Sequence, residues 1–227
     1  TGTSTTTLTT LQLLHSDGVT GAGKTATANL DGGTLTANTI TRGSTLSTSV
    51  FNFNGGTLKA GAASVTLLSG LTRANIRNGG AIIESTLSNV TISQPLMHSD
   101  IGGDAATDGG LAKLGGGDLL LTGAAGSFNG GTTVSAGRLV VSASGALGTG
   151  AVTVNSGAEV YVNSAPTLNN AFILSGDGGT GSTLDPALRG AIRADSGTLG
   201  GSITLAADAS LGSYLSGSAT FSGAIGE

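Results

Sequence analysis

Short runs of alternating apolar and polar residues recur along the whole chain. In Val152-Thr153-Val154 a polar residue separates two apolar residues, which is the period of a half-buried β-strand. Such runs follow corners in which Asn or Asp precedes Gly. These residue types adopt positive φ at little cost. The pattern therefore predicts many short strands that are joined by tight turns.

The corner motif returns at a nearly constant interval. The sequence LDGGTL at 30–35 is followed 23 residues later by FNGGTL at 53–58, and related corners lie at 78–80, 108–110 and 129–131. Hairpins in β-sandwiches recur every 8–12 residues or so, whereas a period of about 20–24 residues is typical of one coil of a solenoid. We therefore predict an all-β parallel β-helix of about ten coils, with equivalent Leu or Val residues stacked inside and Thr or Ser outside.

Two segments interrupt this period. Residues 93–110 are predicted to be a loop insertion between a first coil block, 1–92, and a second coil block, 111–227. A second insertion is expected near 175–186. We treat 1–227 as a single β-helix segment and expect it to be a fragment of a larger protein.

The composition excludes several classes of protein. The chain has 41 Gly, no Cys, 10% charged residues and a mean hydropathy of +0.26. Disordered chains combine low hydrophobicity with high charge, so we predict a folded chain. No apolar run is long enough for membrane insertion within this segment. Lys and Arg are too few for a nucleic-acid surface.

One sequence matches a nucleotide-binding motif. Residues 18–25, GVTGAGKT, satisfy the P-loop pattern. A P-loop must open a helix that holds phosphate at its N-terminus, but the corner at Asp31 follows too soon for a helix. We therefore interpret 18–25 as a β-helix turn.

The histidines and acidic residues offer few metal ligands. His15 and His98 are the two histidines, and together they fall short of the four ligands of a zinc site. Calcium is the one candidate cofactor, because Gly-rich loops could supply carboxylate and carbonyl oxygens. The candidate ligands are Asp100, Asp104, Asp108, Asp177 and Asp185. Solvated loop acids are the alternative interpretation, and otherwise we expect no cofactor.

Catalysis is not expected. Polysaccharide-cleaving β-helices need clustered carboxylates on one face of adjacent coils. Glu84 and Glu159 do not share a register, and the aromatic residues with a hydroxyl group are Tyr161 and Tyr214. We predict a non-enzymatic protein with no catalytic residues.

Residues 110–139 carry a family resemblance. Residues 110–123 read GLAKLGGGDLLLTG and residues 128–139 read FNGGTTVSAGRL. This segment resembles the autotransporter-associated β-strand repeat of bacterial surface proteins. The chain departs from that pattern at 124–128, where it has one extra residue. The resemblance implies a right-handed parallel β-helix in the secreted, passenger-type region of a large bacterial protein.

The predicted function is that of a structural or adhesive rod at the bacterial cell surface or outside the cell. Expected partners are neighbouring coils or further copies of the chain, head-to-tail or lateral, and a surface glycan or protein. The alternative is a self-assembling subunit of an extracellular fibre or matrix. A third alternative is a glycan-binding or glycan-cleaving β-helix.

Overall fold

The computed structural model describes residues 4–14, 23–87, 89–179, 190–213 and 218–227. Within these ranges the chain is all-β and contains no α-helix. The described part accordingly holds no helix that could cross a membrane.

The chain forms many short strands, as the alternating pattern predicts. In chain order they are β1 (Thr5–Leu13), β2 (Thr25–Leu30), β3 (Thr34–Arg42), β4 (Thr48–Phe53), β5 (Thr57–Ala60), β6 (Thr66–Leu68), β7 (Arg73–Ile76), β8 (Ala81–Glu84), β9 (Val90–Ile92), β10 (Leu96–His98), β11 (Leu111–Leu114), β12 (Asp118–Leu121), β13 (Thr132–Val134), β14 (Gly137–Val141), β15 (Val152–Val154), β16 (Ala158–Val162), β17 (Thr167–Leu168), β18 (Phe172–Gly176), β19 (Ile192–Ala194), β20 (Ser196–Leu199), β21 (Ile203–Ala209), β22 (Leu211–Gly212), β23 (Ser218–Phe221) and β24 (Ile225–Gly226).

The largest sheet has 17 strands and contains two parallel series. The first series pairs in the order β1, β3, β5, β8, β11, β13, β15, β18, β21 and β24. The second runs from β1 and β3 through β6, β9, β12, β14, β16 and β19 to β22. The long strands β1 and β3 belong to both series. Ten strands in the first series agree with the predicted number of repeats.

The described strands also form two smaller parallel sheets. One contains β2, β4, β7 and β10, and the other contains β17, β20 and β23. Between them, residues 122–131 and 142–151 form no strand. Main-chain hydrogen bonds still link the repeats there, from Ser127 N to Leu96 O at 3.0 Å and from Thr149 N to Phe128 O at 2.9 Å. The stacking therefore continues across the interruption.

Paired residues have the like-on-like character that the sequence predicts. Leu35 lies beside Leu58, Val134 beside Val154, and Leu119 beside Leu139. On the opposite face Thr34 neighbours Thr57, and Thr133 neighbours Thr153. The buried apolar side chains form one cluster that extends from Leu13 to Ile203. Burial of each such Leu or Val stabilises the fold by about 1.5–3 kcal/mol.

The glycine corners are needed because neighbouring repeats approach closely. Gly110 has φ +70°, and a Cβ there would lie 2.4 Å from the Gly131 carbonyl oxygen. A Cβ on Gly130 would lie 2.1 Å from the Asp108 carbonyl oxygen. No larger residue fits at either position without displacing the adjacent main chain.

The segment 93–110 is only partly a loop. Leu96–His98 forms β10 and pairs with β7, so the predicted insertion is wrong at its start. Residues 99–110 contain no strand. Of the second predicted insertion, 175 and 176 belong to β18, 177–179 contain no strand, and 180–186 lie outside the described residues. The sequence misplaced the first boundary because Pro95 and Met97 do not resemble the residues at the equivalent positions of β2, β4 and β7.

Candidate functional site

The segment 99–110, which we call the acidic loop, contains three of the five candidate calcium ligands. Arg77 binds Asp104 through two hydrogen bonds, Nε to Oδ2 at 2.8 Å and Nη2 to Oδ1 at 2.9 Å. Ser99 Oγ donates to the same carboxylate at 2.5 Å. The Arg77 and Ser99 hydrogen bonds lower the pKa of Asp104, and the carboxylate raises the pKa of Arg77. Asp104 therefore ties the acidic loop to the corner after β7.

Asp108 accepts three main-chain hydrogen bonds and contacts His98 at the end of the acidic loop. Main-chain N–H groups of Gly110, Asn129 and Gly130 donate at 2.8–2.9 Å. His98 Nδ1 lies 2.8 Å from Oδ2. The Asp108 side chain is only 1% exposed. Because carboxylates buried in this way must be hydrogen-bonded, we interpret Asp108 as the residue that joins β10 to two successive glycine corners.

Asp100 differs from its two neighbours in the acidic loop. Its side chain is 72% exposed, and Oδ2 lies 3.3 Å from Arg73 Nη2. The structure therefore directs Asp100, Asp104 and Asp108 to three different side chains, those of Arg73, Arg77 and His98. Within the described ranges, no group of three or more His, Asp or Glu residues could hold a metal ion.

A Ser-His-Asp arrangement is only superficially present. Asp108 contacts His98 Nδ1, and Ser127 lies nearby. A triad needs the serine hydroxyl on the other ring nitrogen. Ser127 Oγ instead accepts the main-chain N–H of His98 at 3.1 Å. The described contacts of these three residues link neighbouring repeats.

The other sequence candidates are only partly described. Asp177 lines a shallow groove beside β21, together with Asp208 and Glu227. Asp185 and His15 lie outside the described residues, as does Tyr214. Of the P-loop match, residues 18–22 are likewise outside, and Thr25 begins strand β2. The strand confirms that no phosphate-binding helix follows this motif.

A second group of charges was missed by the sequence reasoning. Asp118, Arg138 and Glu159 are successive register partners on β12, β14 and β16, and we call them the charged ladder. Arg138 Nη2 and Nε bind the Asp118 carboxylate at 2.7 and 3.2 Å. All three residues are at least 95% buried. The signal was available, because Arg138 follows Asp118 by 20 residues, which is one repeat.

Tyr161 lies between two guanidinium groups beside the charged ladder. Arg193 lies 4.2 Å and Arg138 5.3 Å from the centre of its ring. Such cation–π contacts contribute about 0.5–2 kcal/mol each. Arg193 also binds Asp195, with Nη2 2.6 Å from Oδ2. Burial, followed by the charge of Asp195, raises the pKa of Tyr161.

The chemistry available to the charged ladder follows from these contacts. A general acid must reach a substrate proton, directly or through one water. In the ladder, the Asp118 side chain is 1% exposed and is bound by Arg138, and Glu159 is 3% exposed. Beside the ladder, the Asp195 carboxylate is bound by Arg193. The described contacts therefore favour cohesion between adjacent strands over proton transfer.

Lys113 is the charged residue placed within an aliphatic stack. It is a register partner of Ile83 and Val134, and its side chain is among the fully buried ones. Its Nζ donates to the main-chain oxygens of Gly115 and Ala136 at 2.6 and 3.0 Å. Burial lowers the pKa of Lys113 to about 8.

Comparison of the chain with models of known protein families, with curated proteins and with solved structures finds no match. The resemblance of residues 110–139 to the autotransporter-associated repeat therefore stays a prediction.

Proposed function

We propose that the chain is a right-handed parallel β-helix and serves as a non-catalytic structural or adhesive rod. The observation that carries this proposal is the parallel pairing of ten successive strands over one apolar core. At about 4.8 Å per strand, this series is about 45 Å long. In this role, the rod separates a protein region that is attached at one end from the surface to which the other end is attached.

The polar contacts support a structural role. The buried charges include Asp108, Lys113 and Arg138, and each of these three binds groups of the same or an adjacent repeat. Such contacts stiffen a stack and leave few groups for a reaction. Together with the resemblance of residues 110–139, they favour a passenger-type region at the bacterial surface or outside the cell.

Removal of one repeat tests the β-helix. Deletion of residues 34–56 joins the corner at Gly33 to Thr57, the register partner of Thr34. Because solenoid repeats contact mainly their neighbours, this variant is expected to keep its far-ultraviolet circular dichroism per residue and shorten by about one strand spacing in solution scattering. The control deletion of 34–44 shifts the register and is expected to unfold. Equal unfolding of both variants would contradict the proposal.

Measurements of binding and of turnover distinguish an adhesive rod from an enzyme. An adhesive rod is expected to bind a surface glycan or protein saturably and to leave a panel of neutral and acidic glycans intact. Turnover that depends on Asp118 or Glu159 would favour the glycan-cleaving alternative instead. Binding that is lost on replacing Tyr161, without turnover, would favour a glycan-binding site.

The fibre alternative rests on the edge of β1. This strand pairs with β3, and no other described strand covers its second edge. Exposed edge groups can pair with a strand of a longer chain or of a second copy. Concentration-dependent scattering and filaments in electron micrographs are expected for a fibre subunit, whereas a persistent monomer contradicts it.

A further inference from the structure

Three corners contain an Asn-Gly pair, at Asn54, Asn78 and Asn129. In Asn-Gly sequences the main-chain nitrogen of the glycine can attack the asparagine side-chain carbon, because glycine has no side chain to hinder the approach. The reaction requires the side-chain amide and the glycine N–H to leave their hydrogen bonds. In the structure, hydrogen bonds restrain the three Asn-Gly pairs against this reaction to different extents.

Asn129 is held at every group that the reaction uses. Its Oδ1 accepts the Asp108 N–H at 2.9 Å, and its Nδ2 donates to Ala106 O at 2.8 Å. The attacking nitrogen of Gly130 donates to the buried Asp108 carboxylate at 2.8 Å. These bonds oppose the rotation that would bring the side chain onto the nitrogen.

Asn54 is held almost as completely. Its Nδ2 donates to Asp31 Oδ1 at 2.9 Å, and its Oδ1 accepts the Gly79 N–H at 2.9 Å. The attacking nitrogen of Gly55 donates to the main-chain oxygen of Gly80 at 2.9 Å. Asn54 is also half-buried.

Asn78 is the least restrained of the three. Asn78 and Gly79 are both exposed. Among the described residues, its side chain is held through Oδ1 alone, which accepts the Ala105 N–H at 2.8 Å. Among the described residues, the attacking nitrogen of Gly79 is bound by the Asn54 side chain, and not by a main-chain oxygen or a buried carboxylate.

We propose that Asn78 is a site of spontaneous deamidation. The Gly79 nitrogen gives its proton to solvent base and bonds to Asn78 Cγ, the Cγ–Nδ2 bond breaks, and ammonia leaves with a proton from solvent. Water then opens the five-membered imide at either carbonyl, giving aspartate or isoaspartate. The sum is one water consumed and one ammonia released.

The modification changes the corner that holds the acidic loop. Either product places a new negative charge near Asp104, which shares this corner through Arg77. Isoaspartate also adds one carbon to the main chain where Gly79 packs against Asn54. A Cβ on Gly79 would lie 2.5 Å from the Asn54 main-chain carbon, so the corner has no room for extra atoms. We expect the Asn78–Ala105 bond to be lost in this product.

Peptide mapping by mass spectrometry tests the proposal on the full chain after incubation in mildly alkaline buffer. Asn78 is expected to convert at least about five-fold faster than Asn54 or Asn129, since each extra hydrogen bond lowers the open population by about that factor. In urea the three sites are expected to react at similar rates. Equal rates in the folded protein, or faster conversion at Asn54 or Asn129, would overturn the proposal.

A pair of variants separates the local contact from general loosening. Asn54→Ala removes the acceptor of the Gly79 N–H. Asn54→Asp keeps an acceptor there, and like Asn54→Ala it loses the hydrogen bond to Asp31. Conversion of Asn78 is expected to accelerate in Asn54→Ala relative to Asn54→Asp, with the rate at Asn129 unchanged. Parallel acceleration of Asn129 would show that loosening of the fold sets the rate, and would contradict the assignment to Asn78.

Discussion

The acidic loop and the charged ladder hold their charges in opposite ways. In the acidic loop each carboxylate finds its own partner, and the exposed fraction of the side chain ranges from 1% for Asp108 to 72% for Asp100. In the charged ladder the register aligns Asp118, Arg138 and Glu159, and all are buried. A repeat that places charges in register can bury them together, whereas a loop must satisfy each charge locally.

The largest effect is expected in the charged ladder. Arg138→Met removes the guanidinium that binds the buried Asp118 carboxylate, so it is expected to lower the free energy of unfolding by about 3–5 kcal/mol. Urea denaturation of the purified chain measures this. The double variant Asp118→Leu/Arg138→Met is expected to recover part of the loss. If the free energy of unfolding of Arg138→Met lies within about 0.5 kcal/mol of the parent value, the buried ion pair does not stabilise the fold as proposed.

Within the acidic loop, Asp108→Ala is expected to have the largest effect. It leaves three main-chain N–H groups without their acceptor, at a cost of about 2–4 kcal/mol. Thermal and urea unfolding measure the change, and Asp108→Asn is expected to keep part of the stability. A loss smaller than that of Asp100→Ala would overturn the role of Asp108.

Acidification is expected to affect the acidic loop more gently. The pKa of Asp104 is lowered in the folded chain, so its stabilising contribution is present above the ordinary carboxyl value of 3.8 and is lost as the pH falls through the lowered folded pKa. Proteolysis within residues 99–110, followed against pH, detects the loosened loop. In Asp104→Asn this pH dependence should be absent; its persistence would assign the effect to another group.

The smallest effect is expected at Asp100. Exposed ion pairs contribute about 0–1 kcal/mol, and the Asp100 carboxylate lies 3.3 Å from Arg73. Asp100→Asn is therefore expected to change the free energy of unfolding by less than about 0.5 kcal/mol. A larger change in urea denaturation would erase the distinction between Asp100 and Asp108.

The sequence predicted the stacked positions better than the polar contacts. The pairing of Leu35 with Leu58 follows from matching corners 23 residues apart. The Arg77–Asp104 contact spans 27 residues and includes an irregular loop, so no register argument locates it. The Arg138–Asp118 pair spans one repeat and was therefore predictable. The search for paired carboxylates considered Glu84 and Glu159, which are several repeats apart, and so it did not find this pair.

Lys113 distinguishes one repeat from the others. A stack of Leu, Ile and Val gives the same contacts if a segment slips by one whole repeat, so similar repeats risk pairing out of order. The Lys113 ammonium reaches the Ala136 oxygen only when β13 lies beside β11, whereas the Leu114 and Gly115 oxygens belong to its own repeat. After a slip that moves β13 away from β11, the buried ammonium would lose the Ala136 oxygen, at a cost of about 1–3 kcal/mol. Lys113 thus favours the native order of the repeats over an order that is slipped by one repeat.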